Sequence, residues 1–231
     1  MFGTEPPAAL GVSIPGRAIR GGALEVVATD IRTFAESKHK KTDDRPFGGG
    51  PGMVMMCQPL WDAVLSVEAR DPRPATRIYL TPQGEPLTQA RVEALTTLPR
   101  LVLIAGHYEG VDERVIARLA PLEISLGDFV MSGGELGALV LIDAVARLLP
   151  GVLGDEDSNL TDSFSATRAG RLLDCPHYTK PREWAGFTVP DVLLSGDHGR
   201  IAAWRLEQRL ARTRERRPGL IDTGWLGNLG G

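Results

Sequence analysis

Apolar residues in this chain fall into short runs and longer one-sided stretches. Four runs, residues 24–28 (LEVVA), 77–80 (RIYL), 101–105 (LVLIA) and 123–126 (EISL), are rich in β-branched or large apolar side chains and are bounded by glycine or proline. That pattern predicts buried strands. Between them, residues 58–69, 88–98 and 111–120 carry apolar side chains at helical spacing; in the first, Leu60, Val64, Leu65 and Val67 lie mostly on one face. Strands alternating with helices predict an α/β fold with a largely parallel sheet.

The most apolar long stretch, residues 135–149 (ELGALVLIDAVARLL), stops at Pro150-Gly151. Ahead of it, Ser132-Gly133-Gly134-Glu135 fits an S-x-x-E capping box, with the Ser132 hydroxyl accepting from the Glu135 N–H and the Glu135 carboxylate reaching back to the Ser132 N–H. Its apolar residues cover more than one stripe, so a largely buried helix is expected. Residues 154–170 (GDEDSNLTDSFSATRAG) are acidic, polar and small and read as a linker or mobile loop. Residues 199–219 then hold seven arginines (Arg200, Arg205, Arg209, Arg212, Arg214, Arg216 and Arg217) against Glu207 and Glu215, with Ile201, Trp204, Leu206 and Leu210 for packing. The organisation expected is a large domain over residues 1–154, a flexible linker over 155–170 and a small helical domain over 171–231.

Composition narrows the classes. Of 231 residues, 42% are hydrophobic and 24% charged, as in a soluble globular protein, and the length supports a substantial core. A net charge of −3 does not advertise nucleic-acid binding, so any such role rests on local charge. Two scattered cysteines, Cys57 and Cys175, form no disulfide framework and no zinc signature, which makes a reducing cytoplasm the expected location. The N-terminus lacks a signal-peptide pattern. The longest apolar run, residues 136–142, falls far short of the ~18 residues a membrane span needs.

Three glycine-containing loops follow three of the predicted strands: residues 81–86 (TPQGEP), 106–114 (GHYEGVDER) and 126–134 (LGDFVMSGG). In open α/β sheets, ligands bind outside the carboxyl ends of strands. Glycines in any one loop serve a turn equally well; three such loops together predict a shared pocket. The patterns G-x-x-x-x-G-K-[ST] and G-x-G-x-x-G after a strand are absent, and residues 48–53 (GGGPGM) carry no lysine. Kinase, ATPase and dinucleotide-dehydrogenase readings lose ground accordingly.

The segments SKHKKTDDRPFGGGPGMVMMCQPL, IYLTPQG, GHYEGVDERV, SLGDFVMSGGELGALVLIDAVARLLPGVLG and LLDCPHYTKPREWAGFTVPDVLLSGDHGRIAAWRLEQ occur in this order between about residues 13 and 220. They resemble the bacterial tRNA guanine-N1 methyltransferase family of the SPOUT class, whose target is the guanine 3′ of the anticodon. The resemblance implies a SPOUT-type parallel sheet with a C-terminal trefoil knot, a small C-terminal helical domain and a homodimer whose active sites are shared between subunits. It implies that S-adenosylmethionine sits bent in the knot. The family's cofactor positions fall on Tyr79, Leu80 and Pro82 in the first loop and on Gly106 and Glu109 in the second. In the third they fall on Leu126, Gly127, Asp128, Phe129, Val130 and Met131, with Gly133 and Gly134 behind them.

The resemblance places Asp162 at the family's general base and Arg147 at its arginine. The chemistry suits both residue types. Guanine N1 carries a proton that a carboxylate within hydrogen-bond reach can take, and an arginine can stabilise negative charge developing on O6. Spacing alone favours reading Asp162 as a solvated loop acid or a cap for a following turn, and Arg147 as an i,i+4 partner of Asp143. Asp174 matches a family acid near the target base. His177, Tyr178, Lys180 and Arg182 suit phosphate contact and base stacking. Tyr178 and Trp184 read equally as core of the helical domain, and the arginine run as a solvated helix face. Cys175 reads as a packed thiol, while His39 and Asp44 stay open between structural and substrate-facing roles. The family is associated with a Mg²⁺ requirement, yet no metal-ligand cluster stands out in the sequence.

The chain departs from the family's pattern in places. Family members open with an apolar strand before the segment matching residues 13–17 (SIPGR), and that strand is not found here; either the start is set too late or the sheet lacks one strand, and a missing strand is expected to cost stability. His107 stands where arginine is common, Phe129 where tyrosine is common and Ser132 where threonine is common. The Gly-rich tail after Gly219 leaves the last helix of longer members unexpected. Two other activities compete: ribose 2′-O methylation, which needs no base at guanine N1, and a non-catalytic RNA-binding module.

Overall fold

The computed structural model describes residues 8–154, 161–167 and 169–221. The chain divides into two compact units, the first ending at Gly154 and the second starting at Asp155. Along the first come helix α1 (Ser13–Arg20), the two-residue strands β1 (Asp43–Asp44) and β2 (Val54–Met55), α2 (Cys57–Ala69), β3 (Thr76–Pro86), α3 (Gln89–Thr96), β4 (Leu101–Ala105), α4 (Glu113–Leu119), β5 (Leu122–Ser125) and α5 (Glu135–Ala146).

The main sheet is parallel, in the order β4-β3-β5. Successive side chains of β3 point to opposite faces, and both faces are covered. Tyr79 packs with Leu60 and Val64 of α2 and with Val115, Ile116 and Leu119 of α4. Ile78 and Leu80 pack on the other side with Val92 and Leu95 of α3 and Leu141 and Val145 of α5. Ile78 and Ile124 are completely buried, each worth about 1.5–3 kcal/mol of hydrophobic stabilisation. The mixed α/β character and parallel sheet expected from the sequence are present.

Two basic side chains lock α2 to this sheet. Arg77 Nε and Nη2 donate to the two carboxylate oxygens of Glu68 at 2.6 and 2.8 Å, and Arg77 Nη1 donates to the Leu119 carbonyl at 2.7 Å. The Arg77 guanidinium holds the Glu68 carboxyl below its ordinary value. Arg100 donates to the Val67, Glu68 and Asp71 carbonyls at 2.5, 3.1 and 2.7 Å. A cation is thus placed on the open carbonyls at the C-terminus of α2, where the helix dipole favours it.

The structure differs from the sequence reading in several elements. Residues 24–28 enter no ladder; Leu24 and Val26 are half-buried while Glu25 and Val27 are exposed. Their alternation is that of a strand, but a strand exists only by pairing, and among the described residues β4 has β3 as its partner and no other strand. The last strand of the parallel sheet is β5 (Leu122–Ser125), one residue earlier than expected. α1 was not foreseen; its Ala18 is buried with Ala146 and Val152.

α5 starts at Glu135 with Gly134 as N-cap and no side-chain capping bond, so Ser132 does not cap it. The helix also stops earlier than expected, with Arg147 as its C-cap. Its Gly137, Leu141, Val145 and Ala146 are buried, whereas Leu136 and Val140, one turn apart, are 59% and 50% exposed. The largely buried helix that was expected is present, with Leu136 and Val140 left as an open apolar strip.

In the second unit, β6 (Glu183–Trp184) and β7 (Phe187–Thr188) form a hairpin across Ala185 and Gly186, both at positive φ. Helix α6 (His198–Arg216) follows, with the Asp197 carboxylate accepting from the Arg200 N–H at 3.0 Å. Leu210 packs on a small core of Ala169, Leu172 and Ile221. Leu206, expected to pack, is 43% exposed. Of the expected linker, residues 155–160 and 168 lie outside the described residues, as do 1–7 and 222–231. The rest of it is hydrogen-bonded: the Phe164 N–H donates to the Leu172 carbonyl at 2.8 Å, and Thr167 and Gly170 pair with each other.

Candidate active site

The three glycine loops are joined at the carboxyl end of the sheet. After Leu80, β3 loops out and returns: Leu80 and Glu85 both register with Ile124 of β5. Gly84 makes this return possible, because a Cβ there would lie 2.4 Å from the Glu123 carbonyl carbon and the Ile124 nitrogen. The second and third loops are stitched by the Gly134 N–H, which donates to the Gly106 carbonyl at 2.8 Å, and by a bridge between His107 and Gly133. His107 Nε2 also meets Glu135 Oε1 at 2.5 Å. A Cβ on Gly134 would lie 2.8 Å from the Ala105 Cα and 3.0 Å from the Gly106 nitrogen, so the loops approach this closely only with glycine there.

The positions assigned to a cofactor divide by exposure. Leu80 of the first loop and Leu126 and Met131 of the third converge around Gly137 of α5, each within 3.6 Å of where its Cβ would be. Tyr79 is buried with its ring against Gly106, and burial pushes its hydroxyl pKa up, so its side chain serves the core. Asp128, Phe129 and Val130 are exposed, as are Pro82 and Glu109. Glu109 closes over Gly52, and its N–H donates to the Met53 carbonyl at 3.0 Å. Asp112, at the end of the second loop, is the N-cap of α4. The Arg114 guanidinium holds its carboxyl well below the usual range. Surface depressions of about 630 and 430 Å³ lie along α3 and beside residues 83–85 of the first loop.

Arg147 belongs to the first unit and Asp162 to the second. The Arg147 N–H donates to the Asp143 carbonyl at 3.2 Å. Asp162 opens a short segment laced to residues 172–174: the Asp174 N–H donates to Ser163 Oγ at 2.9 Å, beside the Phe164–Leu172 bond. Asp174 accepts from the Cys175 N–H at 2.6 Å and meets His177 Nε2 at 2.9 Å. Burial pulls the Asp174 carboxyl up, but the His177 and Cys175 hydrogen bonds together hold it below its ordinary value. His177, Tyr178, Lys180 and Arg182 are exposed; the Tyr178 ring lies 6.4 Å from that of Trp204, and Arg182 pairs with Asp191 at 3.1 Å. Trp184 and Phe187 face each other across the hairpin and are 70% and 76% exposed, which removes Trp184 from the core. In the first unit, Asp44 pairs with Lys41 at 3.0 Å.

Among the described residues, Asp174, Cys175 and His177 bring three possible metal ligands within 4.8 Å of one another, a grouping the sequence reading did not single out. Magnesium takes oxygen ligands. One carboxylate, an imidazole and a buried thiol whose pKa is raised by burial do not fit it.

Loops gathered at the carboxyl ends of parallel strands are the ligand-binding arrangement of open α/β enzymes. The family within that class follows from comparison with known proteins. Residues 2–223 match the model of the tRNA (Guanine-1)-methyltransferase TrmD family, and the chain belongs to that family. The tRNA (guanine-N(1)-)-methyltransferase of Neisseria meningitidis serogroup C is 54% identical over 209 residues, 90% of this chain and 82% of the relative. The enzyme of the same name from Stenotrophomonas maltophilia is 52% identical over 217 residues, 94% and 85% of the two chains. That from Rhodopirellula baltica is 54% identical over 210 residues, 90% and 86%.

Proposed function

We propose that this chain is a tRNA methyltransferase that moves the methyl group of S-adenosylmethionine to N1 of the guanine 3′ of the anticodon. The convergence of the three strand-end loops, in a chain whose relatives carry that activity in their names, is the observation that supports it most. The residues suit the methyl donor. Leu80, Leu126 and Met131 offer an apolar floor for an adenine ring, and the exposed Asp128 and Glu109 offer negative charge toward a sulfonium. When bound, S-adenosylmethionine supplies an electrophilic methyl group on positively charged sulfur. In this reading the loops form the deep side of a trefoil knot, with Gly106, Gly127, Gly133 and Gly134 admitting close backbone approach.

Asp162 then takes the proton from guanine N1, and Arg147 steadies the negative charge that spreads to O6. Asp174, His177, Tyr178, Lys180 and Arg182 face the anticodon loop, while the exposed arginines of α6 meet phosphates. No step is assigned to Mg²⁺. Residues 171–231 act as a helical tRNA-binding domain joined by the linker, and the working location is the cytoplasm. Among the described residues no helix is long and apolar enough to cross a membrane.

The active form is a homodimer with each active site completed by both copies. The open apolar face of α5, Leu136 and Val140, together with the exposed Phe129 and Val130, supports this. Val140→Asp is expected to weaken self-association at least tenfold, about 1.4 kcal/mol, and to lower activity in parallel; analytical ultracentrifugation reads the first. An unchanged dimer would place the interface elsewhere.

The function is tested by incubating the protein with S-adenosylmethionine and a tRNA carrying that guanine, then digesting to nucleosides. Mass spectrometry is expected to find 1-methylguanosine. A 2′-O-methylated nucleoside in its place would transfer the protein to ribose methylation.

A further inference from the structure

The arginines of α6 do not share one environment. Arg200, Arg205, Arg214 and Arg216 are exposed, whereas Arg209 is partly buried and turned toward its own unit. Its Nε donates to the Leu173 carbonyl at 3.3 Å, and its Nη2 reaches the Asp162 carbonyl at 3.5 Å. One turn later stands Thr213, completely buried although polar. Its hydroxyl accepts from the Leu173 N–H at 3.0 Å and donates to the Arg209 carbonyl at 2.6 Å. Both backbone polar groups of Leu173 are therefore held by side chains of α6. The residues flanking Leu173 hold the Asp162 segment in turn, through Leu172 O to Phe164 N–H and Asp174 N–H to Ser163 Oγ.

We infer that Arg209, with Thr213, is a positioning residue that fixes the Asp162 segment to α6, and not a phosphate contact. The inference rests on the reading of Asp162 as the base. It gives α6 two separable tasks: exposed arginines attract the RNA, and inward residues set where the proton acceptor stands. A displacement of about 1 Å in a reacting group costs on the order of 10²-fold in rate. A guanidinium spanning two carbonyls through two nitrogens cannot be replaced by an ammonium, which is a single point charge.

The test uses Arg209→Lys, Arg209→Gln and Thr213→Val in the full chain, with thermal midpoints confirming that each is folded. Single-turnover methylation at saturating tRNA, half-saturation by tRNA and the salt dependence of binding are measured for each. All three variants are expected to lose about tenfold or more in single-turnover rate while half-saturation and salt slope stay at wild-type values. Arg205→Gln, at an exposed arginine, is expected to raise half-saturation and flatten the salt slope by about 0.7–0.9. If Arg209→Lys has the wild-type rate, or Arg209→Gln alters only half-saturation and salt slope, Arg209 is a phosphate contact and the inference fails. Asp162→Ala, alone and combined with Arg209→Gln, separates the two levels. Adding Arg209→Gln to Asp162→Ala is expected to cost nothing further. Full activity of Asp162→Ala alone would remove the base itself; an inactive Asp162→Ala beside a silent Arg209→Gln would remove only the positioning role.

Discussion

Asp162→Asn is expected to lower single-turnover methylation by about 10²–10⁴-fold, the range for loss of a general base, with tRNA binding kept. Asparagine has nearly the shape of aspartate and still hydrogen-bonds, but it cannot take the N1 proton. The neighbouring acid is a poorer candidate. Both Asp174 oxygens are engaged, one by the Cys175 N–H and one by His177, and the carboxyl lies below its ordinary value. A carboxylate stabilised in its charged form is a weaker proton acceptor. Asp174→Asn is accordingly expected to act more through tRNA half-saturation than through rate. A larger rate loss for Asp174→Asn than for Asp162→Asn would reverse the assignment.

Gly134→Ala is expected to have the second large effect. The added methyl would meet the Ala105 Cα at 2.8 Å and the Gly106 nitrogen at 3.0 Å, and both belong to backbone. Backbone cannot turn aside as a long side chain can. The second and third loops must therefore separate, breaking the Gly134 N–H to Gly106 carbonyl bond. Overpacking of this kind costs about 1–3 kcal/mol, and it falls on the junction of the two loops proposed to hold the methyl donor. Isothermal titration with S-adenosylmethionine should show binding weakened at least tenfold, since 1.4 kcal/mol is one factor of ten. Gly151→Ala serves as the contrast, because no atom beyond its own chain neighbours lies within 4 Å of its Cβ position and its cost comes from its positive φ. Wild-type donor affinity in Gly134→Ala would dissociate the loop junction from the donor site.

Sequence and structure agree where a local pattern decides the outcome. β3, β4 and β5 were readable because their alternating or continuous apolar residues pack helices on both faces, as Ile78 and Tyr79 do on opposite sides. They part where a distant partner decides. Residues 24–28 have a strand's alternation, but whether they pair depends on a neighbour that no local window contains. Ser132 and Glu135 have the spacing of a capping box, yet the Glu135 carboxylate meets His107, which lies 28 positions away. Trp184 has the composition of a core residue, yet it stands exposed on a tight hairpin. Chemistry was harder to read than fold. Asp162 and Arg147 carry no distinguishing spacing, and their roles came from resemblance to a family. Arg209 was indistinguishable from its six neighbouring arginines until its hydrogen bonds separated it. Its one local hint was Thr213, four residues on, a position where a buried hydroxyl can face the same way on a helix.

The central claim, methylation of N1 at the guanine 3′ of the anticodon, is tested most directly by primer extension. The tRNA is incubated with the protein, with and without S-adenosylmethionine, and then copied by reverse transcriptase. N1 methylation blocks Watson–Crick pairing and ribose methylation does not, so the expected result is a donor-dependent stop at that guanine, absent from a transcript with adenine there. Full-length copying after donor-dependent methyl incorporation, or a stop at any other base, would contradict it.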